Sequence, residues 1–365
     1  MKYKNLALVL ALGLTLGACG QKEDEKAKAP SNEPKTEESI DEPAKEENKD
    51  DSASTDNKAE ETVVYTSFYP IYNLTKQIAG DKMEVKSFTN LKAESHGWEP
   101  SAKDIKDLSS SKLMFINGAG MEEWESSLED STDIELVNTS EGLDLIKANH
   151  EDHDHDHEEA DEDHEHEEAH DHEEADEDHE HEDHDHEHNH GEFDPHTWLS
   201  PKNGLAQAKV IAEKLSQVDP ANKDYYMDNY KKIEDELNAM IDEYSKKFEE
   251  TSNKNFLVNH KAFSYIARDF NLNQIALTSL TSTDDTDAKT LKEAAEKAKE
   301  LNINTIFYEM GGSDKNAKTL ADEIGAQTKP LNTLELATDE DLDNNKTYQE
   351  LIKYNLEEIY KSLEK

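Results

Sequence analysis

The stretch "ANKDYYMDNYKKIEDELNAMIDEYSKKFEETS", Ala221 to Ser252, decides how the rest of the chain is read. Tyr226, Tyr230, Ile233, Leu237, Ile241 and Tyr244 recur at spacings of three and four, which predicts one helix with a single apolar stripe and several solvated faces. At 1.5 Å per residue it spans on the order of 40 Å, long enough to brace two lobes.

Working outward, both flanks alternate between strand and helix signals. Before the long helix, "TVVYTSFYP", "MEVKSFTN" and "KLMFING" are short apolar or β-branched runs. Between them "IYNLTKQIAGD" and "EPSAKDIKDLSSS" carry helical spacing, and "PKNGLAQAKVIAEKLSQVDP" predicts another helix. After the long helix come "NFLVNH", "NQIALTS", "NTIFYEM" and a short strand near "QTKPLN", with helical segments between them. Strands separated by helices indicate an α/β fold: two lobes of parallel sheet flanked by helices, joined by one long rigid helix, facing each other across a cleft. The expected boundaries are an N-terminal lobe over 62–220, the linking helix over 221–251 and a C-terminal lobe over 252–365.

Three segments stand outside this pattern. The opening "MKYKNLALVLALGLTLGACG" has two lysines, an apolar run and small residues leading into Cys19, the signature of a bacterial lipoprotein signal over 1–19. Cys19 is the chain's only cysteine, so an intramolecular disulfide and thiolate metal sites are excluded, and its thiol is expected to carry the lipid. Residues 20–61 hold almost no large apolar side chain and are expected to form a disordered acidic tether. Residues 150–190 are almost entirely Asp, Glu and His; Glu151 to His190 contain 23 acidic and no basic side chains. This reads as a disordered polyanionic loop. With a formal net charge of -47 for the 365 residues, nucleic acid and anionic lipid headgroups are poor partners and cations good ones.

Of the 17 histidines, fourteen lie in that loop: His150, His153, His155, His157, His164, His166, His170, His172, His179, His181, His184, His186, His188 and His190. They are expected to bind metal weakly, since each must be ordered whenever it coordinates. The other three are His96 in "LKAESHGWEP", His196 in "EFDPHTWLSP" and His260 at the end of "NFLVNH", each at or near a strand end. Loops at the carboxyl ends of parallel strands line the binding crevice of an open α/β sheet, so the three imidazoles are expected to converge. Glu309, where "TIFYEM" leaves its sheet, offers a carboxylate as a fourth ligand. Three imidazole nitrogens and one carboxylate form a tetrahedral set suited to Zn2+, though Cu2+ and Ni2+ also bind imidazole.

Four motifs in order resemble the zinc-binding lipoprotein components of bacterial ABC importers, a cluster that also contains manganese-binding members. They are the ligand segments "ESHGWEPSAKDIKDLSSSKLMFINGAGMEEW", "DPHTWLSP", "NHKAFSYIARDF" and "IFYEMGGSDKNAKTLADEIGA", preceded by "SFYPIYNLTKQIAGD", which resembles the family's first strand and helix. The resemblance implies His96, His196, His260 and Glu309 as ligands, with the metal between the lobes. It also implies an ABC transporter permease as partner, a lipid-anchored monomer on the extracytoplasmic face of the cell membrane, and no enzymatic activity. His260 stands where manganese-selective relatives usually carry a carboxylate, which favours zinc. The segment "SLTSTDDTDAKTL" departs from the family in its polarity.

Other classes fit less well. A zinc hydrolase keeps an open coordination position and a general base, whereas here a fourth protein ligand is available to close the site. A surface metal buffer or an adhesin needs no site built from both lobes.

Overall fold

The computed structural model describes residues 63–108, 111–148, 191–278 and 287–364. The signal with Cys19, the tether, the histidine-rich loop and the segment 279–286 lie outside the described residues.

The N-terminal half builds a sheet from β1 (Val63–Thr66), β2 (Glu84–Ser87), β3 (Leu113–Ile116) and β4 (Glu135–Asn138), in the order β2-β1-β3-β4. The C-terminal half builds a second from β5 (Asn255–His260), β6 (Asn273–Thr278), β7 (Thr305–Glu309) and β8 (Gln327–Leu331), in the order β6-β5-β7-β8. Every pairing in both sheets is parallel. In each sheet the chain leaves a central strand toward one edge and then returns to build the other. The connections therefore diverge between β1 and β3, and between β5 and β7, opening a crevice at the carboxyl ends of those strands. β3, "LMFI", is buried at all four positions, as a strand covered on both faces must be.

Ten α-helices are formed among the described residues: α1 (Tyr69–Ala79), α2 (Ala102–Asp107), α3 (Glu125–Ser131), α4 (Pro201–Val218), α5 (Lys223–Glu250), α6 (Ser264–Asp269), α7 (Ala288–Glu300), α8 (Lys315–Ile324), α9 (Asp339–Asp343) and α10 (Tyr348–Leu363). The long helix of the sequence is α5, 28 residues. Its buried stripe is Tyr226, Tyr230, Ile233, Leu237, Met240, Tyr244 and Phe248. Met240 takes the place expected for Ile241, which is only half-buried. Both lie three or four residues from Leu237 and Tyr244, so spacing alone does not choose between them.

α5 packs on α1, α4 and α10. α10, which the strand–helix alternation does not require, buries Tyr348, Leu351, Ile352, Leu356, Ile359 and Leu363. One apolar core runs through both halves, from Phe68, Leu74 and Ile211 through α5 to Phe256, Phe307 and Ile352. The shared core makes α5 a rigid brace with no flexible linker at either end.

Gly204 in α4 is a close-approach glycine: a Cβ there would run into the hydroxyl end of Tyr348. That hydroxyl cannot swing aside without losing its 2.5 Å hydrogen bond to the Trp198 carbonyl, formed in a fully buried position. Gly204→Ala is therefore expected to destabilise the fold by about 1–3 kcal/mol through overpacking. A shift of the denaturant unfolding midpoint measures it, and an unchanged midpoint would mean that α4 and α10 have room to separate.

Candidate metal centre

Local sequence sets each imidazole. His96 lies in the loop between β2 and α2, just before a capping box in which Ser101 and Asp104 satisfy each other's backbone N–H groups. His196 precedes a single 3-10 turn, Thr197–Leu199, and then Ser200, whose hydroxyl accepts from the N–H groups of Lys202 and Asn203 at the start of α4. Pro201 occupies the first helical turn, where its missing N–H costs nothing. The segment is further pinned by Asn117, whose amide donates to the Pro195 carbonyl and accepts from the Thr197 hydroxyl. His260 is the last residue of β5, at the divergence of the second sheet.

These positions bring the three histidines together. Their ligand atoms lie within 4.8 Å of one another, and the ring centroids are 5.0 to 5.9 Å apart. His196 and His260 are buried, while His96 keeps an edge toward solvent. Glu309, at the end of β7, lies with its Oε2 3.7 Å from His260 Nδ1. Its other oxygen accepts a 2.6 Å hydrogen bond from the Thr333 hydroxyl.

A second carboxylate, missed in the sequence reading, is closer to the other two histidines. Glu335 follows β8 by four residues and is 1% exposed. Neither of its carboxylate oxygens has a hydrogen-bond partner. Oε1 stands 3.5 Å from His196 Nε2 and 3.6 Å from His96 Nε2, and those two nitrogens are 3.2 Å apart. A tetrahedron of nitrogen and oxygen donors about 2.0–2.1 Å from a central Zn2+ has edges of about 3.3 Å. The three distances have that size, so the donor set fits a small divalent ion. A buried carboxylate left without hydrogen bonds would otherwise be costly.

The Glu335 loop is tightly held. Asn332 and Asn355 exchange two hydrogen bonds, Asn332 N–H to Asn355 Oδ1 and Asn355 Nδ2 to the Asn332 carbonyl. The Trp198 indole N–H donates to the Thr333 carbonyl at 2.7 Å, tying the His196 segment to the Glu335 loop. The signal that could have found Glu335 is the one that pointed to Glu309: an acid just past a strand. It was obscured because β8, "QTKPL", contains Lys and Pro and is a weak strand pattern.

Electrostatics follow from this packing. Burial alone pulls the His196 imidazole down, but Asp194, hydrogen-bonded at 2.8 Å to Nδ1, and Glu335 outweigh it and push it up to about 9. Burial likewise disfavours the charged form of Glu335, yet His196 and His96 hold it well below the usual carboxylate range. Glu94, at the mouth of the site, is pushed up to about 8 by desolvation of its carboxyl group and by sharing space with Glu335. Asp194 fixes the His196 tautomer with Nδ1 turned away, leaving Nε2 for an ion.

Comparison with known proteins decides the family. The family described as zinc-uptake complex component A, periplasmic, matches residues 64–362. The chain belongs to that family. It is 35% identical over 303 residues to the high-affinity zinc uptake system protein ZnuA of Bacillus subtilis, covering 82% of this chain and 87% of the relative. It is 31% identical over 296 residues to the zinc-binding lipoprotein AdcA of Streptococcus pneumoniae, covering 81% of this chain and 54% of that longer protein. Among solved structures, the laminin-binding protein Lmb of Streptococcus agalactiae, described as a bifunctional protein with adhesin and metal-transporting activity, superposes with a TM-score of 0.67 at 29% identity, covering 83% of this chain and all of that one.

The family consists of solute-binding proteins of zinc uptake, not enzymes, and zinc is the ion it carries. The two parallel sheets and the long helix are the family's architecture. Membership implies an ABC transporter as partner and a place outside the cytoplasm in association with the membrane. Among the described residues, no helix is long and apolar enough to cross a membrane.

Proposed function

We propose that this protein captures Zn2+ at the interlobe cleft and delivers it to the permease of a zinc ABC importer, as a monomer anchored through lipid on Cys19. The observation that carries this reading is the set of distances of 3.2, 3.5 and 3.6 Å among His96 Nε2, His196 Nε2 and Glu335 Oε1, all near the edge length of a zinc tetrahedron. In this reading His96, His196 and His260 supply the nitrogens and Glu335 the carboxylate. Glu309, held by Thr333 beside His260 Nδ1, orients that imidazole from behind instead of serving as the direct ligand first expected. Four protein donors close the coordination sphere, which favours storage and transfer over hydrolysis.

The histidine-rich loop has a separate role, gathering zinc near the cleft with weak, fast-exchanging sites. Titrating zinc into a protein lacking Asp152 to His188 while counting bound metal tests the division. One tightly held ion per chain is expected, with affinity unchanged from the full chain; a large loss of affinity would show that the loop completes the cleft. His260→Ala in the same background is expected to hold no tight zinc.

A further inference from the structure

The buried centre leaves open how a hydrated ion enters it. His196 and Glu335 have no exposed side-chain surface, and His96 shows 13%. Beside His96 on the same loop, Glu94 is exposed to solvent. The ligand atoms of Glu94, His96 and Glu335 nevertheless lie within 4.8 Å of one another. Glu335, buried among these side chains, stands 3.5 and 3.6 Å from the Nε2 atoms of His196 and His96, groups with His260 and Glu309 on the inner side, and groups with Glu94 and His96 on the outer.

We infer, on the reading of the cleft as a zinc-capture site, that Glu94, His96 and Glu335 form a second, outer divalent-cation position through which the ion passes on entry and exit. With three protein donors the outer position keeps bound water, so an ion arriving from solvent sheds only part of its hydration there. Movement inward then exchanges one donor, Glu94, for two, His196 and His260, while His96 and Glu335 stay bound. No stage requires a bare ion in a dry pocket, which is where the largest desolvation cost would fall.

The loop bearing Glu94 is held at this position from both sides. Ala337 N–H donates to the Leu91 carbonyl at 2.6 Å, Ser95 Oγ donates to the Glu335 carbonyl at 3.5 Å, and Lys92 pairs with Asp339. The Glu94 carboxylate is therefore presented at the mouth by an ordered strap across the two lobes.

The experiment is stopped-flow mixing of Zn2+ with the full chain, read by tryptophan emission, since the Trp198 ring lies 5.2 Å from the His196 ring. Release is read by mixing the loaded protein with excess chelator. Glu94→Gln is expected to slow both capture and release by about tenfold, leaving equilibrium affinity unchanged. Glu99→Gln removes an exposed acid three residues beyond His96 and is expected to leave both rates as in wild type. Glu94→Asp, with the carboxyl group kept but the reach shortened, is expected to fall between the two. Unchanged rates in Glu94→Gln would overturn the inference. So would equal slowing by Glu99→Gln, which would reduce the effect to general charge, or a loss of equilibrium affinity in Glu94→Gln, which would make Glu94 a resident ligand. Failure of the wild-type cleft to bind zinc at all would instead strike the capture reading itself.

Discussion

Glu335→Gln is expected to lower the affinity of the cleft for zinc by more than about 100-fold, whereas Glu309→Gln is expected to cost about tenfold, the scale of losing an orienting partner behind a ligand. The difference follows from where each carboxylate is spent. Glu309 already accepts from Thr333 at 2.6 Å and lies beside His260 Nδ1, so its amide loses a charge but keeps a hydrogen bond. Glu335 is fully buried, without hydrogen bonds, and within 3.6 Å of the Nε2 atoms of two histidines. Its negative charge is met by a cation in the centre or, without one, by His196 and His96. Zinc competition titrations of both variants, each lacking the histidine-rich loop and each checked by thermal melting without zinc, provide the measurement. If Glu309→Gln shows the larger loss, Glu309 is the direct ligand and Glu335 the support.

Zinc affinity is expected to rise by about 100-fold between pH 7 and pH 9 and then level off, because one proton must leave His196 before the ion can take its place. The sign follows from the raised value of about 9 in the zinc-free fold. A histidine whose value is raised on folding contributes stability that is fully present below the ordinary value of about 6.5 and lost as pH rises through the raised one. That proton stabilises the empty site and opposes the metal, so its loss toward pH 9 favours binding. An unperturbed imidazole would have confined the weakening to pH below about 6. Asp194→Asn removes the largest group holding the proton and is expected to move the plateau to lower pH. Isothermal titration at pH 7.5 in buffers of different ionisation enthalpy should find about one proton released per zinc bound. A flat affinity from pH 7 to pH 9 would mean that His196 is neutral in the empty cleft.

Much of the architecture was legible because it rests on periodicity. The stripe on α5 and the alternating short apolar runs are direct consequences of burying one helix face and both faces of a parallel sheet. The convergence of His96, His196 and His260 was legible for a different reason: the chain outside the acidic loop holds only those three histidines, and each falls near a strand end. What pattern could not supply was depth. Glu309 ends a strand and Glu335 follows one, but only packing shows that the first is bonded to Thr333 while the second is sealed against two imidazoles. Asp194 was equally hidden, since its part in setting His196 depends on a two-residue turn and not on a motif. The choice of Met240 over Ile241 is of the same kind, settled by the neighbouring helices and not by spacing.

The central claim is that side chains from separate stretches of the chain share one ion. X-ray absorption at the zinc edge, on protein lacking the histidine-rich loop and carrying one zinc per chain, tests it most directly. The expected spectrum shows three imidazole nitrogens and one carboxylate oxygen at about 2.0–2.2 Å. A first shell with one imidazole or none, filled out by water oxygens, would contradict it.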